Sequence, residues 1–335
     1  MYARVEEGRG ICELCPRGCR LREGAMGACR ARAMSSGRIV PRTYGAVTSM
    51  SIDPMEKKPL YHFMPGAGIL SVGTYGCNLS CKFCQNWEIS QREADRRQFT
   101  PEELARLAES VRGQSVGVAY TYSEPLVWYE FVYDSARLMH ERGLLNVLVT
   151  NGYINPEPLR ELLPYVDAVN IDLKAFSQKF YQSVCGGDLE PVLGSIRQAY
   201  ESGRHVELTT LVVPGLNDSK DEMDALASWI ARLSPDIPLH ISRYFPSYRM
   251  TAPPTPMSTL QMCMETARAR LHYVYVGNAG IPGGSDTVCP VCNETVIRRH
   301  GHARVELLLR GASCPACGAG IPVKLRGPEP TQDNN

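Results

Sequence analysis

Short apolar runs recur along the middle of the chain, and each is followed by a longer segment with helical periodicity. Such runs predict buried strands, and the segments between them predict helices. The predicted strands are 69–73, 116–120, 145–150, 166–172, 205–213 and 238–242, with 272–276 as an added strand. Strands that alternate with helices predict an α/β fold whose parallel sheet has right-handed crossovers. Functional residues are then expected where the strands end.

Helix ends can be read from the residues around them. Thr100-Pro-Glu-Glu103 predicts an N-cap with proline at the first helical position, and Ser219 with Glu222 predicts a second capping box. Gly143 and Gly203 stand where a residue in the left-handed conformation is expected after a helix. These signals support helices between the predicted strands.

The two ends of the chain lack this pattern. Residues 1–66 are expected to form a small cysteine-rich module and an irregular lead-in, in which Asp53 to His62 covers one sheet edge or reaches the active site. Residues 67–280 form the α/β body, and residues 281–325 form a second cysteine module behind a Gly/Pro linker. The tail, 326–335, is expected to be disordered.

Composition narrows the class of protein. The 335 residues are 44% hydrophobic, which is ample for a sizeable core, and the net charge of +1 gives no field that attracts nucleic acid or anionic membrane. No apolar run approaches the ~18 residues of a membrane span, and the N-terminus lacks the apolar core of a signal peptide. A cytoplasmic location is therefore expected. In that compartment thirteen cysteines predict metal sites rather than disulfides.

Three cysteines stand on the loop after the first predicted strand, in the spacing C-x3-C-x2-C at Cys77, Cys81 and Cys84. Three thiolates on a tight loop can hold one face of an iron–sulfur cube. With no fourth cysteine in the loop, one iron keeps an open coordination position, as catalytic zinc does. The alternative is a zinc knuckle or a buried trio of free thiols, although zinc sites usually use C-x2-C pairs.

With an aromatic residue, Phe83, before its last cysteine, this motif resembles the signature of the radical S-adenosylmethionine (SAM) superfamily. The resemblance implies a [4Fe–4S] cluster on Cys77, Cys81 and Cys84 whose open iron chelates the amino and carboxylate groups of SAM. It implies reductive cleavage of SAM to a 5′-deoxyadenosyl radical, with electrons from a low-potential flavodoxin or ferredoxin. It also implies a partial (β/α)6 barrel that is open on one side to admit large substrates.

Polar residues follow the second, third and fourth predicted strands. Glu124 matches a family segment, Gly-Gly-Glu-Pro, that contacts the SAM amino group, but the glycines are replaced here, and a helix-capping carboxylate is the alternative. Thr150 and Asn151 can bind the ribose or the SAM carboxylate, or simply form a turn. Asp172 and Lys174 resemble the Asp-Leu-Lys motif of glycyl-radical-enzyme activases, which lies against SAM, and an internal salt bridge is the alternative.

Further candidate site residues belong to no spaced motif. Gln85 and Asn86, directly after the last cysteine of the loop, are expected to bind the cofactor, and Arg243 is expected to hold a carboxylate or phosphate or to form a surface ion pair. Cys185 is a candidate catalytic residue that donates a hydrogen atom to a substrate radical. Cys263, which lies at helical spacing among apolar residues, is expected in the core.

A four-cysteine group stands near the N-terminus at Cys12, Cys15, Cys19 and Cys29. Its stretch is rich in Gly and Arg with little periodicity, which is typical of a small module that needs a metal to fold. The spacing resembles neither zinc ribbons nor bacterial ferredoxins closely. Zinc, an auxiliary iron–sulfur cluster and unmetallated thiols therefore all remain open.

A second four-cysteine group stands near the C-terminus, as two C-P-x-C knuckles at Cys289, Cys292, Cys314 and Cys317. This spacing predicts a tetrahedral four-thiolate site, either a zinc ribbon or rubredoxin-like iron. Iron there would indicate an electron relay, and zinc would indicate docking.

As a whole the chain resembles the radical SAM member of the AmmeMemoRadiSam system, a family related to pyruvate formate-lyase activases. The motifs that carry this resemblance are Cys12-Glu-Leu-Cys15-Pro-Arg-Gly-Cys19, Cys84-Gln-Asn-Trp87, Thr121-Tyr-Ser-Glu-Pro125, Asp172-Leu-Lys174 and Tyr275-Val-Gly-Asn278. It implies partners of Memo and AMMECR type.

The leading functional hypothesis is hydrogen abstraction by the deoxyadenosyl radical from a small molecule or peptide. One alternative is an activase that makes a glycyl radical on a partner enzyme. The other is a metal-stabilised module that binds RNA or protein, which the near-zero net charge disfavours for RNA.

Overall fold

The computed structural model describes residues 2–302 and 304–326. The predicted disordered tail lies outside the described residues from 327 onward. The strands, in chain order, are β1 (Ala3–Glu6), β2 (Arg9–Cys12), β3 (Arg20–Leu21), β4 (Arg32–Ser35), β5 (Arg38–Pro41), β6 (Ala46–Val47), β7 (Ser49–Pro54), β8 (Gly68–Gly73), β9 (Arg97–Gln98), β10 (Gly117–Thr121), β11 (Leu145–Thr150), β12 (Ala168–Asp172), β13 (His205–Val212), β14 (Leu239–Arg243), β15 (Val274–Gly277), β16 (Thr287–Val288), β17 (Thr295–His300) and β18 (Arg304–Leu307).

The helices lie mainly between the strands of the central sheet. They are α1 (Trp87–Ser90), α2 (Pro101–Ser110), α3 (Tyr129–Glu141), α4 (Pro156–Leu162), α5 (Gln178–Phe180), α6 (Leu189–Glu201), α7 (Lys220–Leu233) and α8 (Met257–Arg268). In the part of the chain that the structure describes, none is long and apolar enough to cross a membrane.

The central sheet has eight strands in the order β15-β14-β13-β12-β11-β10-β8-β7. Seven of them are parallel, and β7 runs antiparallel to β8 at one edge. The predicted strands are confirmed, each within two residues at both ends. The apolar runs predicted them because a parallel sheet covered by helices buries both of its faces. All carboxyl ends of the parallel strands therefore meet at one edge of the sheet.

The predicted helix ends are confirmed with one exception. Thr100 and Glu103 form a reciprocal capping box at the start of α2. Ser219 caps α7 by accepting a bond from the backbone N–H of Glu222, but the Glu222 carboxylate instead accepts from the N–H of Phe176 at 2.9 Å. The second predicted capping box is therefore wrong in its return bond, because a loop packed against α7 takes that carboxylate.

The expectation of an irregular lead-in is also wrong. β4 and β5 form an antiparallel hairpin, and β7 bonds to β8 over its whole length as an edge strand of the central sheet. The hairpin strands β4 and β5 were not predicted because they are short, and β7 was not predicted because it leaves Met50 and Ile52 more than a third exposed. The stretch Asp53 to His62 runs from this edge to the amino ends of the strands and does not line the cavity described below.

Glu207, which is fully buried in β13, holds the lead-in against the sheet. Its carboxylate accepts bonds from the backbone N–H groups of Tyr61 (2.9 Å) and His62 (2.7 Å), and from Nε2 of His205 (2.9 Å) and His240 (2.7 Å). Burial opposes its charge, but the two histidine bonds outweigh burial and hold the pKa of Glu207 well below its ordinary value. A buried carboxylate is tolerated because its lone pairs are all used.

The C-terminal module, built from β16, β17 and β18, packs at the amino ends of β13 to β15. Arg299 of β17 is buried and donates to the carbonyl oxygens of Tyr61 (2.6 Å) and Ser285 (3.0 Å). Its Nε lies 3.5 Å from the carboxylate of Glu56, and both side chains are fully buried. This module therefore lies at the end of the sheet opposite the carboxyl ends of the strands.

Candidate active site

A cavity of about 270 Å³ opens at the carboxyl ends of the parallel strands. Eleven of the predicted site residues line it, namely Cys77, Cys81, Phe83, Cys84, Gln85, Asn86, Glu124, Thr150, Asn151, Asp172 and Lys174. The loops after β8, β10, β11 and β12 bring them together. Residues that are up to 97 positions apart in sequence therefore share one site because parallel strands deliver them to the same edge.

The three loop cysteines carry hydrogen bonds at their sulfurs. The amide of Asn151 points at Cys77 Sγ from 3.5 Å, and the N–H of Leu79 lies 3.4 Å from the same atom. Ser90 Oγ lies 3.3 Å from Cys84 Sγ. Burial raises the pKa of the Cys77 and Cys84 thiols, so metal binding at either sulfur must release its proton to solvent. Donors aimed at sulfur are what a metal-bound thiolate requires.

The backbone of the cluster loop, residues 77–85, is fixed from one side by a neighbouring segment. The N–H of Ser80 donates to the carbonyl of Cys185 at 2.8 Å, and the N–H of Lys82 donates to the carbonyl of Val184 at 3.0 Å. That segment belongs to a π-helical turn, Tyr181–Cys185, a form often found at functional sites.

Glu124 braces the next two strand ends. Its carboxylate accepts from the N–H of Leu126 (3.0 Å), the hydroxyl of Thr150 (2.6 Å) and the N–H of Asn151 (2.8 Å). Burial raises the pKa of Glu124 to about 7 despite these bonds. The predicted capping role is confirmed, since Glu124 is the N-cap of a short 3₁₀ turn, Pro125–Trp128. Contact with a SAM amino group stays a prediction.

Asp172 and Lys174 form an ion pair of 2.9 Å beside the cluster loop. Burial opposes the ammonium charge, but Asp172 and then Cys81 outweigh it and hold the pKa of Lys174 well above its ordinary value. The internal salt bridge, which was the alternative interpretation of these two residues, is therefore present. Both side chains still line the cavity, and about a third of the Asp172 side chain is exposed, so the pair faces a ligand space.

Two of the predicted catalytic and cofactor-binding residues, Arg243 and Cys185, lie outside the cavity lining. Arg243 donates from Nε to the carbonyl of Thr255 at 2.9 Å and lies over the ring of Phe245. Cys185 is completely buried behind Cys81, and its thiol donates a hydrogen bond to the Cys81 sulfur, which lowers the pKa of Cys81. Their proposed roles stay predictions, and neither side chain reaches the cavity.

Other lining residues were given no role from the sequence, although Asn278 ends one of the motifs that carry the family resemblance. Ser90 and Gln91 come from α1 and the position just after it, Thr209 from β13, Ser242 from β14, and Asn278 from the position after β15. For Thr209, Ser242 and Asn278, a position at or near a strand end was the feature of the sequence that could have predicted them. Ser90 carried none, because its contact with Cys84 depends on how α1 folds back.

The C-terminal cysteines Cys289, Cys292, Cys314 and Cys317 converge closely. Their sulfurs lie within 4.8 Å of one another, and the pairs 289–317 and 292–314 are each 3.6 Å apart. A tetrahedral ion with metal–sulfur bonds of about 2.3 Å places its sulfurs roughly 3.8 Å apart. The donor set therefore fits one tetrahedral ion.

Replacing Cys314 with serine is expected to remove about one metal ion per chain, because a four-thiolate site loses one of its ligands. The midpoint of thermal unfolding should fall as the module loosens. Metal analysis of the purified variant tests this, with Cys263→Ser as the control, since Cys263 is a buried thiol in α8. An unchanged metal content would contradict the assignment.

The N-terminal cysteines Cys12, Cys15, Cys19 and Cys29 line a second, smaller cavity beside the cluster loop. Burial raises the pKa of Cys12 and Cys29, and raises that of Cys15 to about 12. Among the described residues, the C-terminal quartet alone brings three or more metal-ligating atoms within 4.8 Å of one another.

Three cysteines that line a cavity at the carboxyl edge of a parallel sheet indicate a metal-cofactor enzyme of the α/β class. The sequence model of the Radical SAM superfamily matches residues 71–229, which include the cluster loop. An uncharacterized protein of Methanocaldococcus jannaschii, MJ0808, is 41% identical over 97% of this chain and 98% of its own length. The chain belongs to the radical SAM superfamily.

Two more distant relatives have named activities. The pyruvate formate-lyase-activating enzyme of Clostridium pasteurianum is 28% identical over 50% of this chain and 72% of its own length. The benzylsuccinate synthase activating enzyme of Thauera aromatica is 24% identical over 57% of this chain and 59% of its own.

Among solved structures, a radical SAM methyltransferase from Sphaerobacter thermophilus has a similar fold, with a TM-score of 0.51 at 19% identity over 64% of this chain and 67% of its own. Members of the superfamily are enzymes that use SAM and a [4Fe–4S] cluster, and they usually take electrons from flavodoxin or ferredoxin.

Proposed function

We propose that this protein cleaves SAM reductively at a [4Fe–4S] cluster held by Cys77, Cys81 and Cys84. The product radical abstracts hydrogen from a small molecule or a peptide. The observation that carries this proposal is the single cavity that combines the three thiols with the carboxylates, amides and ammonium group of neighbouring strand ends.

The residues present fit such a cluster. When bound, the cluster and SAM together supply a 5′-deoxyadenosyl radical. The amide of Asn151 and the hydroxyl of Ser90 orient two of the cysteine sulfurs, and the buried Glu124 fixes Thr150 and Asn151. Phe83 provides an apolar wall that limits water.

Charged groups for the polar parts of SAM come from β12 and the loop after it. Asp172 and Lys174 present a carboxylate and an ammonium to the cavity, already paired with each other. When SAM binds at this pair, its charged groups replace one ion pair by others of the same kind. The Asp172 carboxylate and the Lys174 ammonium are already partly desolvated, so binding does not add that cost. Gln85 and Asn86 add amides beside the cluster loop.

We also propose the finer architecture. The parallel strands form a partial (β/α)6 barrel with β15 added, in a body of residues 67–280 to which the lead-in contributes β7. Residues 281–325 form a zinc-ribbon or rubredoxin-like module, supported by the close approach of its four sulfurs. Membership of the AmmeMemoRadiSam group, and partners of Memo and AMMECR type, rest on the sequence resemblance.

A second candidate function is activation of a glycyl-radical enzyme, which the two named activating relatives favour. An activase produces a persistent glycyl radical on a partner protein, which electron paramagnetic resonance (EPR) detects. An enzyme acting on small molecules or peptides leaves no such signal on a second protein.

The proposal is tested with anaerobically reconstituted wild-type protein, reduced by dithionite and incubated with SAM. We expect 5′-deoxyadenosine and methionine in equal amounts, and a change in the EPR spectrum of the reduced cluster when SAM is added. A protein that contains iron and sulfide but neither forms deoxyadenosine nor changes its spectrum with SAM would contradict the proposed reaction.

A further inference from the structure

The four N-terminal cysteines surround one cavity, but they are not arranged for a single ion. Cys12 and Cys19 lie on the β2–β3 hairpin, where the N–H of Cys12 donates to the carbonyl of Cys19 at 2.9 Å. Cys15 lies on the turn between them, and Cys29 comes from the loop before β4. No three of their sulfurs lie within 4.8 Å of one another, in contrast to the C-terminal quartet.

This wider spacing distinguishes two kinds of metal centre. Four sulfurs on one tetrahedral ion stand roughly 3.8 Å apart, as the C-terminal quartet nearly does. In an iron–sulfur cluster the cysteines are shared among several irons that bridging sulfides hold apart, so the ligand sulfurs stand further from one another. The sulfurs of the loop cysteines Cys77, Cys81 and Cys84 likewise do not all lie within 4.8 Å of one another.

The walls of the N-terminal cavity suit an anionic centre. Leu14, Leu21 and Val127 contribute apolar surface. Arg32 also lines the cavity; it is 1% exposed and is bound to Glu130 at 2.7 Å. A cluster with four thiolates carries net negative charge, and a buried guanidinium beside it offsets part of that charge.

The cavity directly adjoins the cluster loop. Asn78, the residue after Cys77, lines the N-terminal cavity and hydrogen-bonds the Cys15 thiol. The amide of Asn151 joins both sides, since it donates to Asn78 Oδ1 at 3.0 Å and lies 3.5 Å from Cys77 Sγ. Arg17 ties the module down by donating to the carbonyls of Asn78 and Gly186.

We propose that Cys12, Cys15, Cys19 and Cys29 hold an iron–sulfur cluster that relays electrons to the cluster on the cluster loop, an inference that rests on the proposed function. A reduced ferredoxin or flavodoxin gives one electron to the N-terminal cluster and is itself oxidised. That cluster is reoxidised as it passes the electron to the loop cluster, which is reduced. No bond is made or broken, and no proton is transferred.

The C-terminal quartet does not fit this role. Its module packs at the amino ends of the strands, whereas the cavity lies at their carboxyl ends. The N-terminal quartet adjoins the cluster loop at Asn78, which lines its cavity. The relay is therefore assigned to the N-terminal quartet.

The metal is tested in a variant that lacks the loop ligands, with Cys77, Cys81 and Cys84 all changed to alanine. After anaerobic reconstitution we expect two to four irons per chain with an equal amount of sulfide, as a [2Fe–2S] or [4Fe–4S] cluster contains. Reduction should give an EPR signal that SAM does not alter. Zinc in place of iron, or no iron above the level of a variant that also lacks Cys12 and Cys15, would overturn the proposal.

A measurement on the wild-type protein tests the proposal even if that variant misfolds. With both clusters in place, reduced wild-type protein should give two EPR signals, of which SAM alters one. A single signal that SAM alters completely, in protein with about four irons per chain, would overturn the proposal.

The relay is tested in the Cys12→Ala/Cys15→Ala variant with two sources of electrons. We expect the rate of deoxyadenosine formation with reduced flavodoxin, divided by the rate with titanium(III) citrate, to fall at least tenfold against wild type. An equal ratio in the two proteins would overturn the relay.

The two proposals fail in different ways. If wild-type protein forms no deoxyadenosine while the variant without loop cysteines keeps iron and sulfide, the proposed function fails and the N-terminal cluster stands. If wild-type protein forms deoxyadenosine while that variant holds no iron, the function stands and the N-terminal cluster fails.

Discussion

Changing Cys81 to alanine is expected to reduce 5′-deoxyadenosine formation to the level of a control without protein. In the proposed function the loop supplies three cluster ligands and leaves one coordination position open, so the loss of one thiolate leaves too few to hold the cluster. Cys81 is also the cysteine that Cys185 contacts, so its removal leaves a gap in the buried wall behind the loop. The measurement is deoxyadenosine by liquid chromatography, together with iron and sulfide per chain.

The matched control is Cys263→Ala. Cys263 is as fully buried as Cys185 but lies in α8, and it does not line the cavity. Its loss should cost roughly 1 kcal/mol of packing and leave the deoxyadenosine rate near that of the wild type. If Cys81→Ala kept the wild-type rate, the loop would not be the site of the reaction.

Changing Glu207 to alanine is expected to lower the free energy of unfolding by roughly 3–5 kcal/mol. The substitution leaves two backbone N–H groups and two histidines without their buried acceptor. Glu207→Gln keeps the shape and one acceptor oxygen, so it should fall between the alanine variant and wild type. Urea unfolding followed by circular dichroism measures all three proteins. A loss below about 1 kcal/mol in the alanine variant would contradict this account.

The same carboxylate gives a pH dependence of known sign. Its pKa in the folded protein is well below the value of about 4.3 expected in the unfolded chain. Its contribution to stability is therefore present above pH ~4.3 and is lost as the pH falls toward the folded pKa. Between pH ~5 and pH ~3, Glu207→Gln should lose less stability than wild type.

The sequence predicted the parallel strands well because their signal is strong. Strands such as β10 and β15 are apolar runs of the right length, and burial on both faces makes them so. The edge strand β7 was missed because its outer face is exposed, so Met50 and Ile52 alternate with serines rather than forming a run. Edge strands carry the weaker pattern since they contact one neighbour.

The candidate site was predictable as far as it followed strand ends. Asp172 and Lys174 were found this way, and the sheet brings them to the cavity. Arg243 also ends a strand, but a loop carbonyl takes its Nε and keeps the side chain off the cavity lining. Glu207 showed no signal at all, because its partners lie up to 146 residues away and only the fold supplies them.

Because the two cysteine quartets are far apart, we expect oxidation and metal loss to affect them at different times. Cys292 and Cys317 are exposed at the far end of the sheet, where an oxidant or chelator in solution meets them first. Of the thiols that line the cavity, Cys81 is buried, and Cys77 and Cys84 are half-buried. We therefore expect chemical damage to begin at the C-terminal module and to release the metal proposed there while the end of the sheet that carries the cavity is still intact. Metal loss measured against activity over time would show the two ends failing in that order.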